Sequence, residues 1–214
     1  MQNSWGRRVV LMAVGLTLLS GLSACDKTSA ELRAADDAVD RAIDSGDGKK
    51  YAEHVSKGSF DRLTTMITLA RTATAKQTKA LPFADKYEVV LIRATVEPER
   101  LRKMNAHEYV VSAVENGVTW STSDCKRVRY SVDAKRTQGS ITYQPPFTKE
   151  TFTGQWIKED GVWKEDLVAS AVDLSRWGRA AAKAENVSED EYILYLLDEW
   201  QGIEVGEEIW NPVR

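Results

Sequence analysis

With only two histidines and two cysteines in 214 residues, the chain has little of what metal and nucleophile chemistry requires. His54 and His107 stand apart from each other, neither within a His-Glu-x-x-His segment nor at another ligand spacing, so a zinc site has no support. The glycine-rich loop that cradles phosphates is missing, as is the Gly-x-Ser-x-Gly turn that presents a nucleophilic serine. Basic charge is not in excess either: 29 Lys and Arg against 32 Asp and Glu give a formal charge of −3. That balance excludes nucleic-acid binding by electrostatics. No metal and no cofactor is expected, and there is no internal repeat or low-complexity linker.

The N-terminus carries the most specific pattern. Arg7-Arg8 precede an apolar run over residues 9–22, which leads into Leu22-Ser23-Ala24-Cys25. A basic start, an apolar core too short to span a bilayer comfortably and small residues before a cysteine make an export signal. Leu-Ser-Ala-Cys resembles the lipobox of bacterial lipoproteins. The resemblance implies a signal peptide over 1–24, lipidation of Cys25, and a domain held at the cell membrane facing the periplasm or cell exterior. Two or three acyl chains suffice for stable anchoring. Asp26 is similar to the residue that retains enterobacterial lipoproteins at the inner membrane. The competing reading makes 9–22 an uncleaved anchor or a buried core helix; a core helix would alternate with polar residues, and this run does not.

Loss of residues 1–24 removes two arginines, moves the formal charge from −3 to −5 and leaves about 190 residues, enough for one substantial core. With Cys25 acylated, Cys125 is the remaining thiol and no internal disulfide forms; it reads as buried and inert.

Helical patterns come first. Thr28-Ser29-Ala30-Glu31 has capping-box spacing, followed by Leu32, Ala35, Val39, Ala42 and Ile43 at helical intervals up to Ser45-Gly46. Asp47 caps a short helix holding Tyr51 and Val55, and Ser59 one with Phe60, Leu63, Ile67 and Ala70 on a stripe. The apolar run 87–92 fits strand or helix and is taken as helix beside its helical neighbours. Pro98 opens a helix carrying Leu101, Met104, Tyr109, Val110 and Val114 up to Asn116-Gly117.

From 118 the pattern alternates. Val128, Tyr130 and Val132 fall on one face of a strand, Arg127, Arg129 and Ser131 on the other, and Ile141 and Tyr143 continue the alternation. Asp160-Gly161 is a favoured two-residue hairpin turn. It sets Glu159 opposite Val162, Lys158 opposite Trp163, Trp156 opposite Glu165 and Gly154 opposite Leu167. Phe152, Trp156, Trp163 and Leu167 then share an inner face. Two further helices are expected, one from near Asp173, the other opened by Ser188-Glu189-Asp190-Glu191 and closed by Gly202.

Helices followed by antiparallel strands ending in Lys158-Glu159-Asp160-Gly161-Val162-Trp163-Lys164 resemble the NTF2-like superfamily, in which helices form a cone against a curved sheet. The expected fold is therefore α+β, with an NTF2-like domain over 25–168 and a C-terminal helical extension over 169–214 that covers or plugs the cone. Enzymes of that superfamily place acidic or basic groups inside the cone. Glu165 is the one catalytic candidate, because the register sets it among Trp156 and Trp163, where burial would raise its pKa. The expectation carried forward is the plainer one, a solvated Glu165 at the rim. Ligand-binding candidates are Trp120, Tyr130, Tyr143, Phe152, Trp156 and Trp163. The functional expectation is a non-catalytic module for a small apolar ligand or a protein partner, with a homodimer allowed. The competing class is a small cavity lyase or isomerase of the SnoaL-like kind, which an acid with a partner donor in a closed apolar pocket would favour.

Overall fold

A computed structural model describes residues 15–119, 122–146 and 149–212, with side chains in those ranges other than those of 15–26 and 200. The fold is α+β. Among the described residues it has nine α-helices and one four-stranded antiparallel sheet in the order β1-β2-β3-β4.

Helix α1 (Gly15–Asp44) runs unbroken through Cys25 and Thr28, so the segment expected to open a helix lies inside one. Nothing before Thr28 in that stretch, proline above all, forces the backbone out of helical angles, and a capping sequence starts a helix only where the preceding residue leaves them. The helix ends as expected at Ser45-Gly46, with Gly46 at φ 70°. Next come α2 (Gly48–Ala52), capped by Asp47, and α3 (Lys57–Thr72), which starts earlier than expected because Ser56, not Ser59, is its cap. A Thr74/Gln77 capping box opens α4 (Ala75–Lys79). The ambiguous run 87–92 lies in helix α5 (Phe83–Thr95). The helix expected from Pro98 to Asn116 is two, α6 (Pro98–Leu101) and α7 (Ala106–Glu115), because Asn105 and Glu108 form a capping box that begins a new one.

In the sheet, β1 (Lys126–Val132), β2 (Gln138–Gln144), β3 (Phe152–Glu159) and β4 (Val162–Glu165) form a meander. Asp160 and Gly161 have φ of 49° and 81°, the positive pair a tight hairpin needs. Glu159↔Val162, Lys158↔Trp163 and Trp156↔Glu165 pair as expected. The Gly154–Leu167 pair does not form. Asp166 accepts from the amides of Val168 and Ala169 and starts α8 (Leu167–Ala184) six residues before the expected point, so β4 stops at Glu165. The edge of β3 left open is covered by α8, where Ser170 accepts from the Gln155 amide at 2.9 Å.

Strand β1 also departs from simple alternation. A bulge between Arg127 and Arg129 leaves Val128 as the extra residue, 50% exposed instead of inward with Tyr130 and Val132. The same bulge aims Arg127 at α1, where its Nε donates to Asp36 at 3.0 Å and its Nη2 donates to Asp40.

Helix α9 (Glu189–Gln201) has the expected Ser188/Glu191 box and Gly202 stop, the latter at φ 64°. A 3₁₀ turn (Glu207–Trp210) follows. Helix α5 has a core on each side. Val89 and Ile92 pack with Leu32, Leu63, Trp156 and Trp163, whereas Phe83, Val90 and Leu91 pack with Ile193, Leu197 and Trp210. Gly178 lets α8 close on α5, since a Cβ there would overlap the Phe83 ring. Arg93 is buried among carbonyls: Nε donates to Ala70 at 2.9 Å, Nη2 to Ala73 at 2.6 Å and Nη1 to Trp210 at 2.7 Å. Among the described residues no helix is long and apolar enough to cross a membrane.

Candidate functional site

Between the helical layer, the sheet and α8 lies a cavity of about 300 Å³. Apolar and aromatic side chains form most of its wall, among them Leu63, Phe83, Leu91, Val110, Phe152 and Leu174. Polar groups converge on it in two pairs. Tyr51 of α2 donates its hydroxyl to Glu165 Oε2 at 2.8 Å, and Tyr109 of α7 donates to Glu88 Oε1 of α5 at 2.9 Å.

The backbone of Glu165 is held from both sides. Its N–H donates to the His54 carbonyl at 2.7 Å, and its carbonyl accepts from the Ser56 amide and the Ser59 hydroxyl, both at 3.1 Å. The link after α2 and the first turn of α3 thus fix the last residue of β4, and strand alternation points the side chain inward. Glu165 is half-buried and belongs to the cavity wall. Burial pushes its pKa up to about 7; the Tyr51 hydrogen bond opposes this, and the Asp36 and Asp40 charges add to it. The expected solvated rim carboxylate is therefore not what the fold produces. Sequence register placed Glu165 correctly on the inner face, but β4 ends there and α8 begins two residues later, so the carboxyl is half-buried in the chamber wall.

Glu88 is also raised by burial, with Arg62 and the Tyr109 hydrogen bond pulling the other way. Arg62, itself in the cavity wall, donates to Asp85 at 2.5 Å. Burial and the neighbouring carboxylates hold the Tyr51 and Tyr109 phenols well above their ordinary range, so both remain donors.

Of the aromatic candidates, Tyr143 and Phe152 line the cavity, stacked at 5.2 Å between ring centroids. Tyr143 also donates to Asp36 at 2.7 Å, which joins the wall to the Arg127 network. Trp156 and Trp163 are buried in the core beneath and are not among the wall residues; Trp163 lies against Gly139, on the side where Leu32 of α1 fills the inner face of the sheet. Tyr130 stands elsewhere, with the Arg33 guanidinium 4.4 Å over its ring. Trp120 lies outside the described residues. Cys25 falls within α1, in the stretch whose side chains are not described. Cys125 is buried, and burial pushes its thiol up to about 11.

Sequence reasoning missed Tyr51, Tyr109 and Glu88. Both tyrosines sat on helical stripes and read as core. Glu88 did carry a signal, as the one acid inside the apolar run 87–92. Among the described residues no group of three or more His, Cys, Asp or Glu is placed to hold a metal ion.

No family model, curated protein or solved structure matches the chain. The function is accordingly argued from the cavity itself. An apolar chamber with two carboxyl–phenol pairs can orient a small molecule by one polar group, and a carboxyl near pH 7 can exchange a proton with it.

Proposed function

We propose that the chain is a lipid-anchored envelope protein whose domain, NTF2-like in design, binds a small and largely apolar molecule. The observation that carries the binding reading is the cavity of about 300 Å³ with two acid–phenol pairs in an otherwise mostly apolar wall. Natural ligand pockets combine these features, many apolar surfaces and few polar groups in fixed places. Support for the NTF2-like design is the order of the elements, helices before a bulged antiparallel meander with the chamber between them. Support for the anchor is Leu22-Ser23-Ala24-Cys25.

A second reading is a lyase or isomerase of the SnoaL-like kind, favoured by one contact: Glu165, whose pKa burial pushes up to about 7, accepts from the Tyr51 phenol in the same chamber. Such a pair can take a proton from carbon while a phenol stabilises the oxygen of the adjacent carbonyl. The test is to extract what copurifies with the wild-type chain and with Glu165→Gln and compare the two by mass and chromatography. A molecule common to both supports binding; a pair related as substrate and product supports the enzyme. Empty protein from the native host would sink both.

The anchor has its own test. Cys25→Ser is expected to abolish incorporation of labelled fatty acid and leave an uncleaved precursor, and undiminished labelling would overturn the lipoprotein reading.

A further inference from the structure

Two carboxyl groups, Glu88 and Glu165, line the cavity, and its one wall guanidinium among the described residues, Arg62, is paired with Asp85. Glu165 and Glu88 both act electrostatically on the Tyr51 phenol, so they share one region of the chamber. Each gives one oxygen to a tyrosine, and the other oxygen accepts no hydrogen bond among the described residues. The groups facing Glu165 are Asp36 and Asp40 from α1, Tyr51 from α2 and Tyr143 from β2. The charged ones are both acidic.

The guanidinium groups nearby already have carboxylate partners. Arg127 of β1 is bound by Asp36 and Asp40, and Arg62 of α3 by Asp85, although its charge reaches Glu88. An anionic ligand would meet a second acid at Glu165. A neutral hydrocarbon would leave the second oxygen of that carboxyl without a partner, whereas an ammonium donates to it and matches the charge of its ionised form. The wall adds the stacked rings of Tyr143 and Phe152, apolar surface against which a hydrocarbon can pack.

We propose that the cavity takes a small lipophilic amine, its ammonium hydrogen-bonded to Glu165 and its hydrocarbon against the aromatic wall. This deepens the binding reading and rests on it. In the empty chamber near neutral pH much of Glu165 carries its proton. Docking of an ammonium converts that acid to the carboxylate and releases the proton to solvent, while the amine, with a pKa of about 10, keeps its own. Affinity therefore rises from about pH 6 to about pH 8 and falls again when the amine itself deprotonates.

The test uses the full chain in phosphatidylcholine nanodiscs, with empty discs as blank, and three probes of matched shape: 2-phenylethylamine, 2-phenylethanol and phenylacetate. Calorimetry at pH 8 is expected to show the amine binding at least about tenfold more tightly than the alcohol, with phenylacetate weakest. That preference should shrink at pH 6 and vanish in Glu165→Gln. Equal binding of amine and alcohol to the wild-type chain at pH 8 would overturn the amine proposal and leave the apolar cavity reading standing. An amine preference that persists in Glu165→Gln would also overturn it, by removing the assigned carboxylate. If none of the three binds, the cavity reading fails with it.

Discussion

Arg93→Met is expected to destabilise the fold by about 3–5 kcal/mol, measured by urea unfolding against the wild-type chain. The guanidinium is 6% exposed and donates to carbonyls of Leu69, Ala70, Ala73, Ile209 and Trp210 as well as to Thr78. Three of those carbonyls belong to the end of α3, where Leu69 also accepts from the Ala73 amide while Ala70 and Ala73 are past the last helical donors, and two to the 3₁₀ turn near the C-terminus. Methionine fills the volume but donates to none of them, and each buried acceptor that then lacks a donor, Ala70 and Ala73 among them, costs about 1–3 kcal/mol. Arg93→Lys should recover only part of the loss, because an ammonium lacks the planar fork that reaches both segments. A loss below about 1 kcal/mol for Arg93→Met would show that water replaces the guanidinium and that the two segments are held by other contacts.

Trp163→Ala should cost a similar amount, about 3–5 kcal/mol, in the range of large aromatic truncations in cores. The ring is 3% exposed and lies against Gly139, with Leu32 of α1 beside it. Truncation opens a void between α1 and the sheet that a glycine at 139 cannot fill. A change of only about half a kcal/mol, typical of surface sites, would mean that the inner face of the hairpin is not packed as described.

Trp163 was legible in the sequence because everything that places it is local. A two-residue turn fixes the register of its hairpin, and the register fixes its face. The caps of α2 and α9 were legible for the same reason, as side chain and amide lie three residues apart. Arg93, Glu88 and Asp36 were not. Arg93 finds its acceptors across distances of up to 117 residues, and Tyr109 meets Glu88 only because α7 and α5 both pack in one layer. No periodicity in a single helix reports such a meeting. The bulge at Val128 escaped for a different reason. An extra residue in a strand reverses the faces beyond it, and here the reversal is decided by Arg127 reaching two aspartates on α1. Glu165 stood between these cases: its face was readable from the hairpin, but its partial burial was not, since that depends on where β4 stops and α8 begins.

The position of α5 also governs how the molecule comes apart. Its two sides belong to different cores, and Arg93 on the same helix holds the ends of α3 and of the chain. Loss of either core strips one face of α5 and weakens the other, so the two halves are expected to melt in a single transition. Amides at the centre of α5, around the fully buried Val89 and Val90, are expected to be among the slowest in hydrogen exchange, opening only when the whole cooperative unit opens. The cavity beside that helix thus has a wall that does not breathe by local unfolding.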